Sequence, residues 1–289
     1  MIFAVLGGDG RSAHLCRRLA QEGHEVRAFA LEGAGELAGA YAVPGARECV
    51  TGADCVVLPM PVRTAQGALF APQSSAVHGL GEVLGAIAGE SLLLGGRVDK
   101  EAQAMAAQRG LHIHDYFARE ALTVGNAAVT AECALEILMR ETPATLWRSK
   151  VLVIGFGRIG KLLAQRLHGL GAHVTVSARK DEDKAWIDAL GYAYADTRAL
   201  GGTLGGYDII VNTVPAPVLT ETLLREVRAD ALLLDLASSP GGTDFAAAEK
   251  LGLRVIWALG LPGEAAPQRA AELIKESIFN ILEERYGTA

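Results

Sequence analysis

Apolar residues follow two alternating patterns along this chain: short unbroken runs, and longer stretches in which they recur every three to four positions. Unbroken runs fit strands buried on both faces of a parallel sheet, and the periodic stretches fit the helices that cover it. Strands are predicted over residues 2–6, 24–29, 55–59, 92–94 and 111–114, with helices over 11–21, 81–88 and 100–108. A stretch from 126 to 140 keeps helical spacing and stops ahead of Thr142-Pro143, where proline ends a helix, so it is predicted to connect two halves. The pattern restarts at Lys150, with strands predicted over 151–154, 173–177, 208–212, 232–236 and 254–258. The final stretch, 267–286, is long and amphipathic and is expected to pack back on the first half. The expected architecture is α/β, with two doubly wound parallel-sheet domains and an interdomain cleft. Residues 1–125 form a substrate or partner domain, 126–268 a cofactor domain that includes the connector helix, and 269–289 the returning helix.

At 289 residues and 50% hydrophobic content the chain can fill two cores. Its formal charge of −6 leaves no broad basic surface, which argues against nucleic acid and anionic membrane as partners and for a small soluble substrate. The opening MIFAVLGGDG lacks a basic region and a cleavage site, and its apolar run stops at Gly7-Gly8, so it reads as a strand. No uninterrupted apolar run approaches the roughly 18–20 residues of a membrane span, and a cytoplasmic location is expected. Cys16, Cys49, Cys55 and Cys133 show no metal spacing and are read as buried reduced thiols.

The sharpest chemical signal is Val151-Leu152-Val153-Ile154-Gly155-Phe156-Gly157-Arg158-Ile159-Gly160, a G-x-G-x-x-G between a buried strand and a helix. In a Rossmann-like domain Gly155 permits the tight turn, Gly157 lets a diphosphate approach the backbone, and Gly160 lets helix and strand sit close. Amide N–H groups opening the helix then face the anion. Cofactor choice falls to the second strand, which ends Ser177-Ala178-Arg179-Lys180 without the carboxylate that would hold an NAD ribose. Ser177 and Arg179 suit a 2'-phosphate, so NADP is expected; the plainer alternative is that Arg179 and Lys180 open a solvated helix.

Further strand ends add candidates. Asn212-Thr213-Val214-Pro215 is expected on the nicotinamide-ribose side, with Asp235 and Gly260-Leu261-Pro262 ending the next strands. In the first half, Gly7-Gly8-Asp9-Gly10-Arg11 also lies between a strand and a helix; Asp9 would repel a diphosphate, so Arg11 is assigned to a substrate carboxylate, with a simple Asp9 helix cap as the alternative. Leu58-Pro59-Met60-Pro61 and Gly95-Gly96-Arg97 end neighbouring strands. Asn126, Thr130 and Glu132 lie on the connector, where Asn126 would also serve as an N-cap. His112 and His114 form no metal cluster, and hydrolase signatures are absent.

On these motifs the chain resembles the A-subunit family of dipicolinate synthase. The resemblance rests on Gly7-Gly8-Asp9-x-Arg11, Asn126-x-x-x-Thr130-x-Glu132, Gly155-x-Gly157-Arg158-x-Gly160, the run Asp235-Leu236-Ala237-Ser238-x-Pro240-Gly241-Gly242-Thr243-Asp244-Phe245, and Gly260-Leu261-Pro262-Gly263-x-x-Ala266-Pro267. Cys133 replaces a glycine and Gln268-Arg269-Ala270-Ala271 a Lys-Thr-Ala-Gly in the family pattern, which bears on helix packing. The resemblance implies oxidation of a dihydro- or 4-hydroxytetrahydrodipicolinate to pyridine-2,6-dicarboxylate with NADP, a flavoprotein-like B-subunit partner, and the mother-cell cytoplasm during sporulation. For that reaction Arg11, Asn126, Thr130 and Ser238 are assigned to bind the dicarboxylate and Glu132 to accept the proton. The cofactor set comprises Gly155 to Gly160, Ser177 to Arg179, Asn212 to Pro215, Asp235 and Gly260 to Pro262. Self-association into a homo-oligomer is left open. The alternatives are another two-domain dehydrogenase acting on a hydroxy acid or shikimate-like alcohol, and a non-catalytic protein that senses NADP for a partner.

Overall fold

The computed structural model describes residues 1–88 and 90–287. The chain divides into two compact units, Met1–Asn126 with Pro262–Ala289, and Ala127–Leu261. The first contains strands β1 (Ile2–Leu6), β2 (Glu25–Phe29), β3 (Tyr41–Ala42), β4 (Cys55–Val57), β5 (Leu92–Gly95) and β6 (His114–Asp115). Helices α1 (Gly10–Gln21), α2 (Ala46–Val50), α3 (Leu80–Gly85) and α4 (Lys100–Ala107) lie between them. Helix α5 (Glu120–Glu141) contains the division between units. In the second unit are β7 (Lys150–Ile154), β8 (His173–Ala178), β9 (Ala193–Asp196), β10 (Ile209–Asn212), β11 (Leu232–Asp235) and β12 (Arg254–Trp257). They alternate with α6 (Arg158–Gly169), α7 (Asp181–Ala189), α8 (Glu221–Leu224) and α9 (Phe245–Lys250); α10 (Leu261–Glu264) and α11 (Pro267–Tyr286) close the chain.

Both sheets are parallel and share one strand order, β3-β2-β1-β4-β5-β6 and β9-β8-β7-β10-β11-β12. These are two Rossmann-like sheets. In each, chain direction across the sheet reverses beside the first strand, between β1 and β4 and between β7 and β10, which is where open α/β sheets bind ligands. The central strands are solid apolar runs because helices cover both faces: Val151 to Ile154 are all fully buried.

Sequence patterning missed one outermost strand of each sheet, β3 and β9. Tyr41–Ala42 is exposed and Ala193–Asp196 only partly buried, so neither carries an unbroken apolar signal. The strand expected over 111–114 shrinks to His114–Asp115, because Leu111 and Ile113 reach the core from irregular backbone. Helix α5 opens at Glu120 rather than near Asn126, so Asn126 lies inside it and is not its N-cap. By length and composition α5 is apolar enough to cross a membrane, but its Ala131, Ala134, Ile137 and Leu138 belong to the core of the second unit. Three cysteines are buried, and burial pushes the thiols of Cys16 and Cys49 up to about 12; Cys133, expected to be buried, is only half-buried.

In the first unit α11 packs along α1, burying Ala270, Ala271, Leu273, Ile274, Ile278, Ile281 and Leu282. Each fully buried Leu or Ile contributes about 1.5–3 kcal/mol. Arg18–Glu272 at 2.6 Å and a Lys275–Glu22 pair flank this apolar seam.

Candidate functional site

The glycine turn after β7 is built by close approach on one side and openness on the other. Gly155 has φ +99°, and a Cβ there would lie 2.6 Å from Thr213 Oγ1. A Cβ on Gly160 would lie 2.1 Å from the Gly155 carbonyl oxygen, so the helix start is pressed directly onto the turn. At Gly157, by contrast, a Cβ would meet nothing within 4 Å. Gly157 is the N-cap of α6 and offers no side-chain cap, which leaves the first-turn amides for an anion. Phe156 is buried in the core, with Lys161 over its ring, and Ile159 packs on the same core; both therefore serve the site through backbone. Arg158 is exposed at the first helical position.

The comparable turn after β1 is filled by the protein itself. Gly8 N–H donates to Phe70 O at 2.8 Å, and a Cβ on Gly7 would lie 2.8 Å from Leu69 Cδ2. Asp9 caps α1, accepting from Arg11 N–H at 3.0 Å, and its carboxylate also accepts from Arg11 Nε at 2.9 Å and Nη2 at 2.7 Å. Arg11 additionally donates to Met60 O. Gly10 abuts Pro267, and a Cβ on Gly263 would lie 3.1 Å from Arg11 Nε, so motifs from opposite ends of the chain enclose this ion pair. Arg11, assigned to a substrate carboxylate, is held in this geometry by Asp9 and Met60 through its Nε and Nη2.

The expectation for Ser177 at the end of β8 also changes. Ser177 is fully buried and its Oγ accepts from Thr197 Oγ1 at 3.0 Å, so it joins β8 to the loop after β9 instead of meeting a phosphate. Ala178 is buried beside it, and Arg179 emerges exposed, with no ion pair among the described residues. Lys180 is held by Glu182 at 3.1 Å.

Asn212 and Asp235, expected to face cofactor, are both fully buried. Asn212 Nδ2 donates to Asp235 Oδ1 at 3.0 Å and to Val214 O at 3.1 Å, while its Oδ1 accepts from Val214 N–H. Asp235 further accepts from Ala237 N–H, Gly242 N–H and, at 2.7 Å, Thr243 Oγ1. Every side-chain polar atom of the pair is used inside the protein, so these two side chains shape the loops after β10 and β11. Thr213 hydroxyl donates to Ile154 O at 2.9 Å; Pro215 and Ser238 are left exposed at the loop tips. The loop's outer end is held by Trp257 Nε1, which donates to Ala237 O at 3.0 Å, and by the Phe245–Trp257 stack. Gly260, at φ +66°, and Leu261 close the second unit, whereas Pro262 belongs to the first.

Glu132, assigned as proton acceptor, lies on the solvent-exposed side of α5. Its side chain is 69% exposed and pairs with Arg166 at 3.2 Å, eight residues along α6 from Arg158, which is about 12 Å from the anion-binding end. Thr130 is buried on α5, two residues before it. Thr197, Gly242 and Thr243 are the structural partners that sequence reading left without a role; only the tertiary fold brings them to Ser177, Asn212 and Asp235.

Comparison with known proteins bears on this geometry. The family model for the N-terminal domain of the dipicolinate synthase A subunit matches residues 2–117, and "D-isomer specific 2-hydroxyacid dehydrogenase, NAD binding domain" matches 104–234. The dipicolinate synthase A subunit of Bacillus subtilis is 30% identical, covering 98% of this chain and 96% of that protein. The chain belongs to the family of dipicolinate synthase A subunits. The solved dipicolinate synthase A chain from Bacillus subtilis superposes with TM-score 0.86 at 29% identity, over 98% of this chain and 96% of that one. That from Bacillus halodurans also gives 0.86, at 25% identity and 97% of each chain. A transhydrogenase from Sinorhizobium meliloti shares the fold alone, at TM-score 0.71 and 18% identity. Within the dipicolinate synthase A family, the dehydrogenase-type nucleotide-binding domain makes this chain a nicotinamide-dependent oxidoreductase.

Proposed function

We propose that this protein oxidises a dihydrodipicolinate or 4-hydroxytetrahydrodipicolinate to pyridine-2,6-dicarboxylate with NADP, as the A subunit of a dipicolinate synthase. The reading carries with it a B-subunit partner and the mother-cell cytoplasm of a sporulating cell. The observation that carries the cofactor assignment is the contrast between the two glycine turns. The one after β7 ends in an uncapped helix start with open space at Gly157, and the one after β1 is occupied by Phe70, Asp9 and Arg11.

The residues present fit a dinucleotide. Amides opening α6 hold the diphosphate, and exposed Arg179 pairs with a 2'-phosphate. Bound nicotinamide supplies the hydride acceptor. Dihydrodipicolinate loses one hydride and one proton to become aromatic, and the hydroxylated ring loses water as well. Aromatisation drives the reaction, so the protein's task is to position the rings and shed a proton. The Asp235 network fixes the loop whose tip carries Ser238, and we assign the Ser238 hydroxyl a hydrogen bond to substrate.

A hydroxy-acid dehydrogenase of this architecture carries an Arg, an acid and a His in the second half, and its histidine would have to reach the C-terminal edge of the sheet, where ligands bind. His173 opens β8 and His168 lies near the end of α6, both at the opposite edge. The test mixes purified protein, NADP and the hydroxytetrahydrodipicolinate, with and without the B subunit, and follows reduced nicotinamide with dipicolinate. Formation of both in step supports the reading. Cofactor binding with no turnover in either mixture would leave a nucleotide sensor in its place.

A further inference from the structure

A substrate with two carboxylates needs cationic partners, and the first unit presents three arginines around the C-terminal edge of its sheet. Arg11 is consumed by Asp9, and Arg63 by Asp99 at 2.7 Å and by Glu101. Arg97 is different. It is exposed, lies two residues past the end of β5, and makes no ion pair among the described residues.

Its backbone is held in an unusual state. Arg97 has φ +53°, the left-handed region that an L side chain rarely adopts. The Asp115 carboxylate, opposite Gly95 across β5 and β6, accepts from the N–H of Arg97 at 3.1 Å, of Val98 at 3.1 Å and of Phe117 at 2.8 Å. Just before it, Gly96 N–H donates to Pro59 O at 3.1 Å, and a Cβ on Gly96 would lie 2.5 Å from the Tyr116 ring and 2.6 Å from Met60 Cβ. Tyr116 hydroxyl in turn donates to Leu58 O at 3.1 Å. A glycine at 97 would relieve the backbone, and the exposed side chain makes no ion pair or hydrogen bond among the described residues. Such local strain, with the backbone clamped by Asp115 at a ligand-binding edge and an exposed guanidinium beyond it, singles out Arg97 for a functional hypothesis.

We infer that Arg97, aimed by Asp115 from the end of β5, binds a carboxylate of the dicarboxylate substrate and sets the preference for two carboxylates over one. The inference rests on the function proposed above. A planar guanidinium offers a carboxylate two parallel donors, a geometry that lysine lacks.

The test uses the full chain and Arg97→Gly, chosen because glycine is at ease at this φ, so the variant melts no lower than the parent. Affinities for pyridine-2,6-dicarboxylate and pyridine-2-carboxylate are measured by calorimetry, and KM and kcat by NADP reduction. Arg97→Gly should weaken the dicarboxylate at least tenfold, weaken the monocarboxylate less, and raise KM with little change in kcat; Arg97→Lys should recover part of the loss. Turnover by the parent with unchanged binding and KM in Arg97→Gly would overturn the role of Arg97 and leave the proposed function standing. A parent that neither binds the dicarboxylate nor turns over, with or without the B subunit, would overturn both.

Discussion

Asn212 and Asp235 end adjacent strands in register and share a 3.0 Å hydrogen bond with neither side chain exposed to solvent. The bond ties the loop after β10 to the loop after β11, so both are held as one surface next to the glycine turn.

Asp235→Ala strands four buried donors at once. With each unsatisfied group costing about 1–3 kcal/mol, the variant should lose at least about 3 kcal/mol of stability. Denaturant unfolding reads this directly. A loss under about 1 kcal/mol would mean that water reaches the loop and that the network does not carry it.

Gly157→Ala and Gly160→Ala separate binding from folding within one motif. Position 157 has ordinary backbone (φ −77°) and room for a methyl, so the alanine variant should keep its melting temperature while losing cofactor affinity, since the methyl takes up diphosphate space. Position 160 has no room beside the Gly155 carbonyl, so its variant should melt lower. Differential scanning calorimetry and nicotinamide titration together check the pair; equal melting losses would contradict the open space at Gly157.

Arg179→Ala addresses cofactor choice. Loss of a charge-assisted bond worth about 1.5–3 kcal/mol corresponds to a weakening of NADP by about 10- to 150-fold. NAD, lacking the phosphate, should change by less than about twofold. Parallel fluorescence titrations with both cofactors make the comparison, and equal weakening would remove Arg179 from the phosphate site.

The seam between β1 and α11 should be sensitive to acid through His24. Its ring packs against Phe3 at 5.1 Å and Phe279 at 5.7 Å, and burial lowers its pKa, with the N-terminal ammonium and Lys275 acting in the same direction and Glu22 against them. The unfolded chain then takes up the proton first. The stability involved is complete above the ordinary histidine value of about 6.5 and is lost as pH falls through it toward the lower folded value. His24→Leu should flatten the decline in melting temperature between about pH 7.5 and 5. His14 and His114, also lowered by burial, keep the slope from vanishing. An unchanged slope would show that His24 does not couple to folding.

Hydrophobic patterning determined the central strands of both sheets and the final helix over Pro267–Tyr286, and glycine spacing determined the turn at Gly155 to Gly160, because each is a local run whose pattern matches its place in the fold. The edge strands Tyr41–Ala42 and Ala193–Asp196 were illegible, since half-covered backbone leaves no unbroken apolar run there. The roles of polar residues were decided only by tertiary structure. Ser177, Asn212, Asp235 and Arg11 all carry ligand-binding chemistry in sequence, yet Thr197, Thr243 and Asp9 satisfy them internally. A polar group is free for a ligand only when folding leaves it without a partner, and partners of Asn212 such as Asp235 lie 23 positions away along the chain. Arg97 and Arg179 kept their charge available for the same reason, because no carboxylate was brought beside them among the described residues.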